Sequence, residues 1–104
     1  MIVEERDYTL KAGKLGAFVE TYRDHGLQIQ LDYLGAFHGY FTSEIGELNH
    51  VVAWWSYASL DDRQARRARM SADPLWQANL DKVVDLIQLQ NTRILQPTAF
   101  SPLR

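Results

Sequence analysis

The chain is expected to adopt an α+β fold of the ferredoxin-like kind, a βαββαβ order with a four-stranded antiparallel sheet. Three observations lead there: an alternating segment at the start, a long aromatic and β-branched stretch over residues 35–57 that reads as a hairpin, and helical apolar spacing on either side of that hairpin.

Residues 2–10 put Ile2, Glu4, Arg6, Tyr8 and Leu10 on one strand face and Val3, Glu5, Asp7 and Thr9 on the other. Lys11-Ala12-Gly13-Lys14 turns the chain into a helix with a Leu15, Phe18, Val19, Tyr22 stripe. Gly26 costs about 1 kcal/mol relative to Ala in a helix interior, so a bend or an early end is expected near His25-Gly26. The hairpin pairs two aromatic runs, Phe37, Tyr40 and Phe41 on one and Trp54, Trp55 and Tyr57 on the other, around a Ser/Glu/Gly turn.

After it, Ser59 with Asp62 matches a capping box, and Asp73-Pro74 restarts a helix whose spacing runs through Leu80, Val83, Val84 and Ile87. Residues 92–96 read as the last strand, stopped by Pro97. Both helical layers should cover one sheet face. Because strand neighbours point to opposite sides, the aromatics supply both faces, and an uncovered face this apolar implies association. The expected solution is a two-fold homodimer packed sheet against sheet.

With 104 residues the chain reads as one domain, 1–104, long enough to bury a modest core unaided. A formal charge of -2 gives no field attractive to polyanions, so neither nucleic acid nor anionic membrane is an expected partner. The absence of cysteine removes disulfides, thiolate catalysis and Cys-based zinc sites together. Acids stand where a signal peptide would be basic, and no apolar run approaches bilayer length; a cytoplasmic protein without membrane insertion is expected.

The segments Glu4 to Lys14, Leu34-Gly35 through Gly39 to Asn49, Val51-Val52 with Trp54-Trp55, Ser59 to Arg63, Ala72-Asp73-Pro74 and Pro97 to Pro102 resemble the NIPSNAP family over nearly the whole chain. The resemblance implies a dimeric α+β barrel, two ferredoxin-like subunits joining their sheets around a shared interior. Its relatives are mostly uncharacterised; the mammalian ones are associated with mitochondria and vesicle-related interactions, and the wider superfamily includes monooxygenases, isomerases and haem enzymes. The family often has a histidine in the third strand, where this chain has Ala53; any chemistry of that imidazole would be missing here.

Glu4, Arg6 and Tyr8 share a strand face and offer a carboxylate, a permanent planar cation and a phenol. Inside a barrel they could orient an acidic or carbonyl ligand; equally, they could satisfy one another across a dimer. In the ligand reading Arg6 fixes an oxyanion or carboxylate, Tyr8 and Tyr40 donate hydrogen bonds, Glu4 is base or orienting group, and Trp55 beside small Ala53 forms the apolar wall. The candidate ligand-binding set is therefore Glu4, Arg6, Tyr8, Tyr40 and Trp55, serving a small hydrophobic or carbonyl-bearing molecule without a cofactor.

His25, His38 and His50 form no close pair of metal-ligand spacing, so no metal is expected; His38 and His50 could meet only if strand register aligned them. Thr42, Ser43 and Ser56 lack a nucleophile context, and no phosphate-binding glycine pattern occurs. The run Arg63, Arg66, Arg67 and Arg69 reads as a solvated helix face. A protein-interaction module with a filled interior is the competing reading.

Overall fold

The computed structural model describes residues 1–104. Its elements are β1 (Ile2–Leu10), α1 (Leu15–Thr21), a π-helical turn (Tyr22–Gly26), α2 (Leu27–Tyr33), β2 (Ala36–Thr42), β3 (His50–Tyr57), α3 (Leu60–Ser71), α4 (Pro74–Val83), a 3-10 turn (Val84–Leu86) and β4 (Ile87–Leu95). All strands join in one antiparallel sheet ordered β2-β3-β1-β4, the ferredoxin-like order.

The local signals that start these elements make the contacts expected of them. Ser59 caps α3 by accepting from the Asp62 amide at 3.0 Å, and Asp73 caps α4 by accepting from the Leu75 amide at 2.8 Å with Pro74 in the first turn. Tyr33 donates to the same Asp73 carboxylate at 2.7 Å, and that bond, with the Leu75 amide, holds the Asp73 carboxyl below its ordinary pKa. At the mouth of the hairpin Asn49 takes a positive φ of 52°; its carbonyl accepts from Leu10 N at 2.7 Å and its side chain from Gly13 N at 3.2 Å. One residue thus ties the β2–β3 turn to the end of β1.

Two boundaries differ from expectation. The irregularity expected near His25-Gly26 is a π turn at Tyr22–Gly26, not the end of the helical run, which resumes as α2, so Leu27, Ile29 and Leu31 are helical. The last strand starts at Ile87 rather than residue 92, because the 3-10 turn at Val84–Leu86 ends the helix before Ile87 can continue its spacing.

The helices cover one sheet face and build two apolar clusters on it. One groups Leu34, Ala53, Trp55, Tyr57, Met70 and Trp76; the other groups Leu10, Phe18, Tyr22, Val51 and Val83, and Tyr40 packs against both. The opposite face carries exposed Phe41, Trp54, Leu89 and Leu95 around a polar band. There Trp54 donates to Glu5 at 2.9 Å, Arg93 pairs with Glu5 at 3.2 Å and Asp7 at 3.7 Å, and His50 contacts Asp7. No helix is long and apolar enough to cross a membrane.

Candidate functional site

Strand register decides what meets on the helix-covered face. Glu4 lies opposite Trp55, Arg6 opposite Ala53 and Tyr8 opposite Val51 across β1 and β3, while Tyr40 of β2 faces Ala53 from the other side. Ala53 therefore sits between Arg6 and Tyr40 in a row where its neighbours are long. The space its missing side chain leaves lies at the seam of the two apolar clusters.

A cavity of about 50 Å³ occupies that seam. Arg6, Tyr8, Tyr40 and Trp55 line its floor and walls, and the helices roof it with Tyr22, Trp76 and Asn79. The π turn makes this roof: it turns both Tyr22 and Gly26 inward, and Asn79 closes over Gly26 so tightly that a Cβ there would stand 3.1 Å from both amide heavy atoms of Asn79. Tyr22 donates its hydroxyl to Gln30 Oε1 and stacks on Tyr40 with ring centroids 4.5 Å apart.

Burial first, and then neighbouring phenols, push the Tyr22 and Tyr40 hydroxyls well above the usual range, so both remain neutral donors. Arg6 Nε donates to the Tyr8 oxygen at 2.8 Å. Burial opposes the Arg6 charge, but Tyr8 and Glu4 outweigh it and hold the guanidinium above its ordinary pKa. Two further polar atoms on cavity residues, Trp55 Nε1 and Asn79 Oδ1, are buried without a hydrogen-bond partner. Such groups are rare in native folds, and these two are one free donor and one free acceptor.

The five candidates from the sequence all lie on this face, and four of them line one cavity. Glu4 does not; it is fully buried beside it, contacting Arg63 Nε, Arg6 at 3.8 Å and Arg67 at 4.0 Å. This one carboxylate thus lies among three guanidiniums. The set also faces the chain's own helices, not a second sheet: Trp55 has no exposed surface in the single chain. The space lies between this chain's own sheet and helices.

The arginine run splits. Arg66 pairs with Asp62 at 2.9 Å on the helix surface, whereas Arg63 and Arg67 turn inward to Glu4, contrary to a uniformly solvated face. Their spacing of one helical turn was the available signal, since such residues share a face. Tyr22 and Asn79 carried no signal beyond helical periodicity.

The histidines stay apart. His38 Nε2 lies 2.6 Å from Ser56 Oγ, whereas His50 sits six residues from Ser56 along β3, roughly 20 Å away at strand rise, beside Asp7, Thr9 and Glu47. His25 is exposed on the π turn. No group of three His, Asp or Glu side chains is arranged so that it could hold a metal ion.

Fold and cavity define a ferredoxin-like α+β protein with an internal aromatic site. The NIPSNAP family model matches residues 3–102, and the chain belongs to that family. It is 36% identical to Protein NipSnap of Drosophila melanogaster over 97% of this chain and 36% of that protein. A Caenorhabditis elegans relative, Putative NipSnap protein K02D10.1, is 28% identical over 98% of this chain and 19% of its own length, so the chain spans well under half the length of these curated relatives. Among solved structures, a NIPSNAP family protein with unknown function from Agrobacterium tumefaciens superposes with TM-score 0.96 at 46% identity, covering 100% of this chain and 94% of that one. An antibiotic biosynthesis monooxygenase shares the fold alone, with TM-score 0.70 at 12% identity over 94% of this chain and 99% of that one.

Proposed function

We propose that this chain is a homodimeric NIPSNAP domain that binds a compact, mostly apolar, carbonyl-bearing molecule in the cavity over Ala53, and that any catalysis there proceeds without a cofactor. The observation that carries this reading is the pair of partnerless buried atoms on a largely apolar cavity that Arg6 also enters: one donor, Trp55 Nε1, and one acceptor, Asn79 Oδ1. A carbonyl oxygen suits Trp55 and Arg6, and a hydroxyl or amide proton suits Asn79. The enclosed space of about 50 Å³ is small beside the hundreds usual for ligand sites, so anything larger than a few heavy atoms enters only as the roof shifts. That small volume is also what favours the second reading, a protein-interaction domain with no ligand.

Ligand-observed NMR with a panel of short ketones and hydroxy-ketones separates the two. At least one member binds the wild type, and Arg6→Met weakens it tenfold or more, about 1.4 kcal/mol, while leaving the oligomeric state unchanged. Equal affinity in the variant rejects the assignment, and no binding by any member supports the interaction module.

The dimer reading rests on the open sheet face, where Phe41, Trp54, Leu89 and Leu95 are all more than a third exposed in one protomer and Phe41 packs edge-on to Trp54 at 5.1 Å. Trp54→Lys puts a charge into that patch. Light scattering across a dilution series is expected to give a dimer for the wild type and a folded monomer for the variant; a monomeric wild type rules the barrel out.

A further inference from the structure

Three guanidiniums, those of Arg6, Arg63 and Arg67, converge on one carboxylate, that of Glu4. That leaves a surplus of two positive charges in a partly buried cluster, within a chain whose formal net charge is -2. No other acid neutralises them. Asp62 is engaged by Arg66, and Glu4 is the acid among the groups that act most strongly on Arg67, the others being Arg6, Arg63 and Tyr57. Burial first, then repulsion from Arg6 and Arg63, lowers the Arg67 pKa from its ordinary value, the opposite of what a satisfied ion pair does.

Donors outnumber acceptors as well. Arg67 NH1 and the Tyr57 hydroxyl are both buried without a hydrogen-bond partner, against one unpartnered acceptor, Glu4 Oε1, which Arg67 NH1 faces at 4.0 Å, and Arg63, which spends its Nε on Glu4, has only a 3.4 Å contact from NH1 to Gln64. The cluster is open to solvent in part. The arginine side chains keep 15%, 18% and 24% of their surface exposed, and the β4 residues that pair with Arg6 and Glu4 in register, Thr92 and Ile94, are themselves exposed.

We infer that Arg63 and Arg67, held in place by Glu4 and backed by Arg6, form a binding site for a compact doubly charged anion, a phosphoryl group or a short dicarboxylate. Two guanidinium forks one helical turn apart match such an anion in charge and in bidentate geometry, and Glu4 beneath them fixes the forks while leaving their outer donors free. The site lies outside the cavity over Ala53 and stands whether or not that cavity takes a ligand.

Isothermal titration of the wild-type chain with inorganic phosphate, malonate and acetate, at ionic strength held constant with chloride, tests this. Phosphate or malonate is expected to bind with one site per protomer and acetate at least tenfold more weakly; the better of the two dianions identifies the ligand chemistry. Arg67→Gln is expected to weaken the dianion tenfold or more, and Arg67→Lys, which keeps the charge and loses the fork, to weaken it severalfold. The wild-type NMR spectrum supplies a readout that needs no variant: the Arg63 and Arg67 Nε–Hε signals shift on titration. Acetate binding as well as the dianions, no binding of either dianion beyond chloride, or unchanged affinity in Arg67→Gln overturns the proposal.

Discussion

Glu4→Gln is expected to destabilise the fold by about 3 kcal/mol, seen as a fall of roughly 12–20 °C in melting temperature. The Glu4 carboxylate has no exposed surface and is the one anion among Arg6, Arg63 and Arg67. Deleting its charge leaves three cations facing one another. Because each guanidinium retains some contact with water, the loss belongs at the lower end of the range for breaking a buried pair. The cause is separable from a mere packing defect: adding Arg67→Met to Glu4→Gln removes one of the stranded charges and is expected to restore about a third to a half of the loss. A Glu4→Gln variant that melts within about 2 °C of the wild type would show that the arginines need no counter-ion from β1.

Gly35→Ala is expected to cost about 3 kcal/mol or more and to yield little folded protein. A Cβ built at Gly35 stands 1.9 Å from the Ser56 carbonyl oxygen, and 3.1 Å from the Tyr57 ring. The first of these is backbone, held by pairing of Ser56 with Ala36 on one side and Val3 on the other, so it cannot swing away as a side chain would. Relief requires β2 to move off β3, which separates Tyr40 from Ala53 and opens the cavity floor. Urea denaturation of any soluble variant, compared with Gly16→Ala where a Cβ meets nothing within 4 Å, checks the assignment; equal midpoints for the two would refute it.

The sheet was legible because alternation, the hairpin aromatics and the caps at Ser59 and Asp73 each specify local geometry. Period-two alternation groups Glu4, Arg6 and Tyr8 on one face, yet it cannot say whether that face meets helices or a second sheet. The side on which the helices cross the sheet decides that, and they pack over Arg6, Tyr8 and Trp55. The inward turn of Arg63 and Arg67 was hidden for a related reason. A charge run is solvated unless a buried opposite charge waits beneath it, and Glu4 lies 59 residues away from Arg63 in sequence. The early start of β4 escaped because Val83, Val84 and Ile87 satisfy helical spacing and no Gly or Pro marks the 3-10 turn between helix and strand.

The wide turn at Tyr22–Gly26 holds one residue more than a regular α-helical path would need. Each residue advances an α-helix by about 100°, so removing a single amino acid there would re-index the whole upstream segment, swinging Phe18 away from the sheet while α2 stayed seated. The ceiling over Ala53 is thus adjustable by a one-codon length change that leaves every strand untouched.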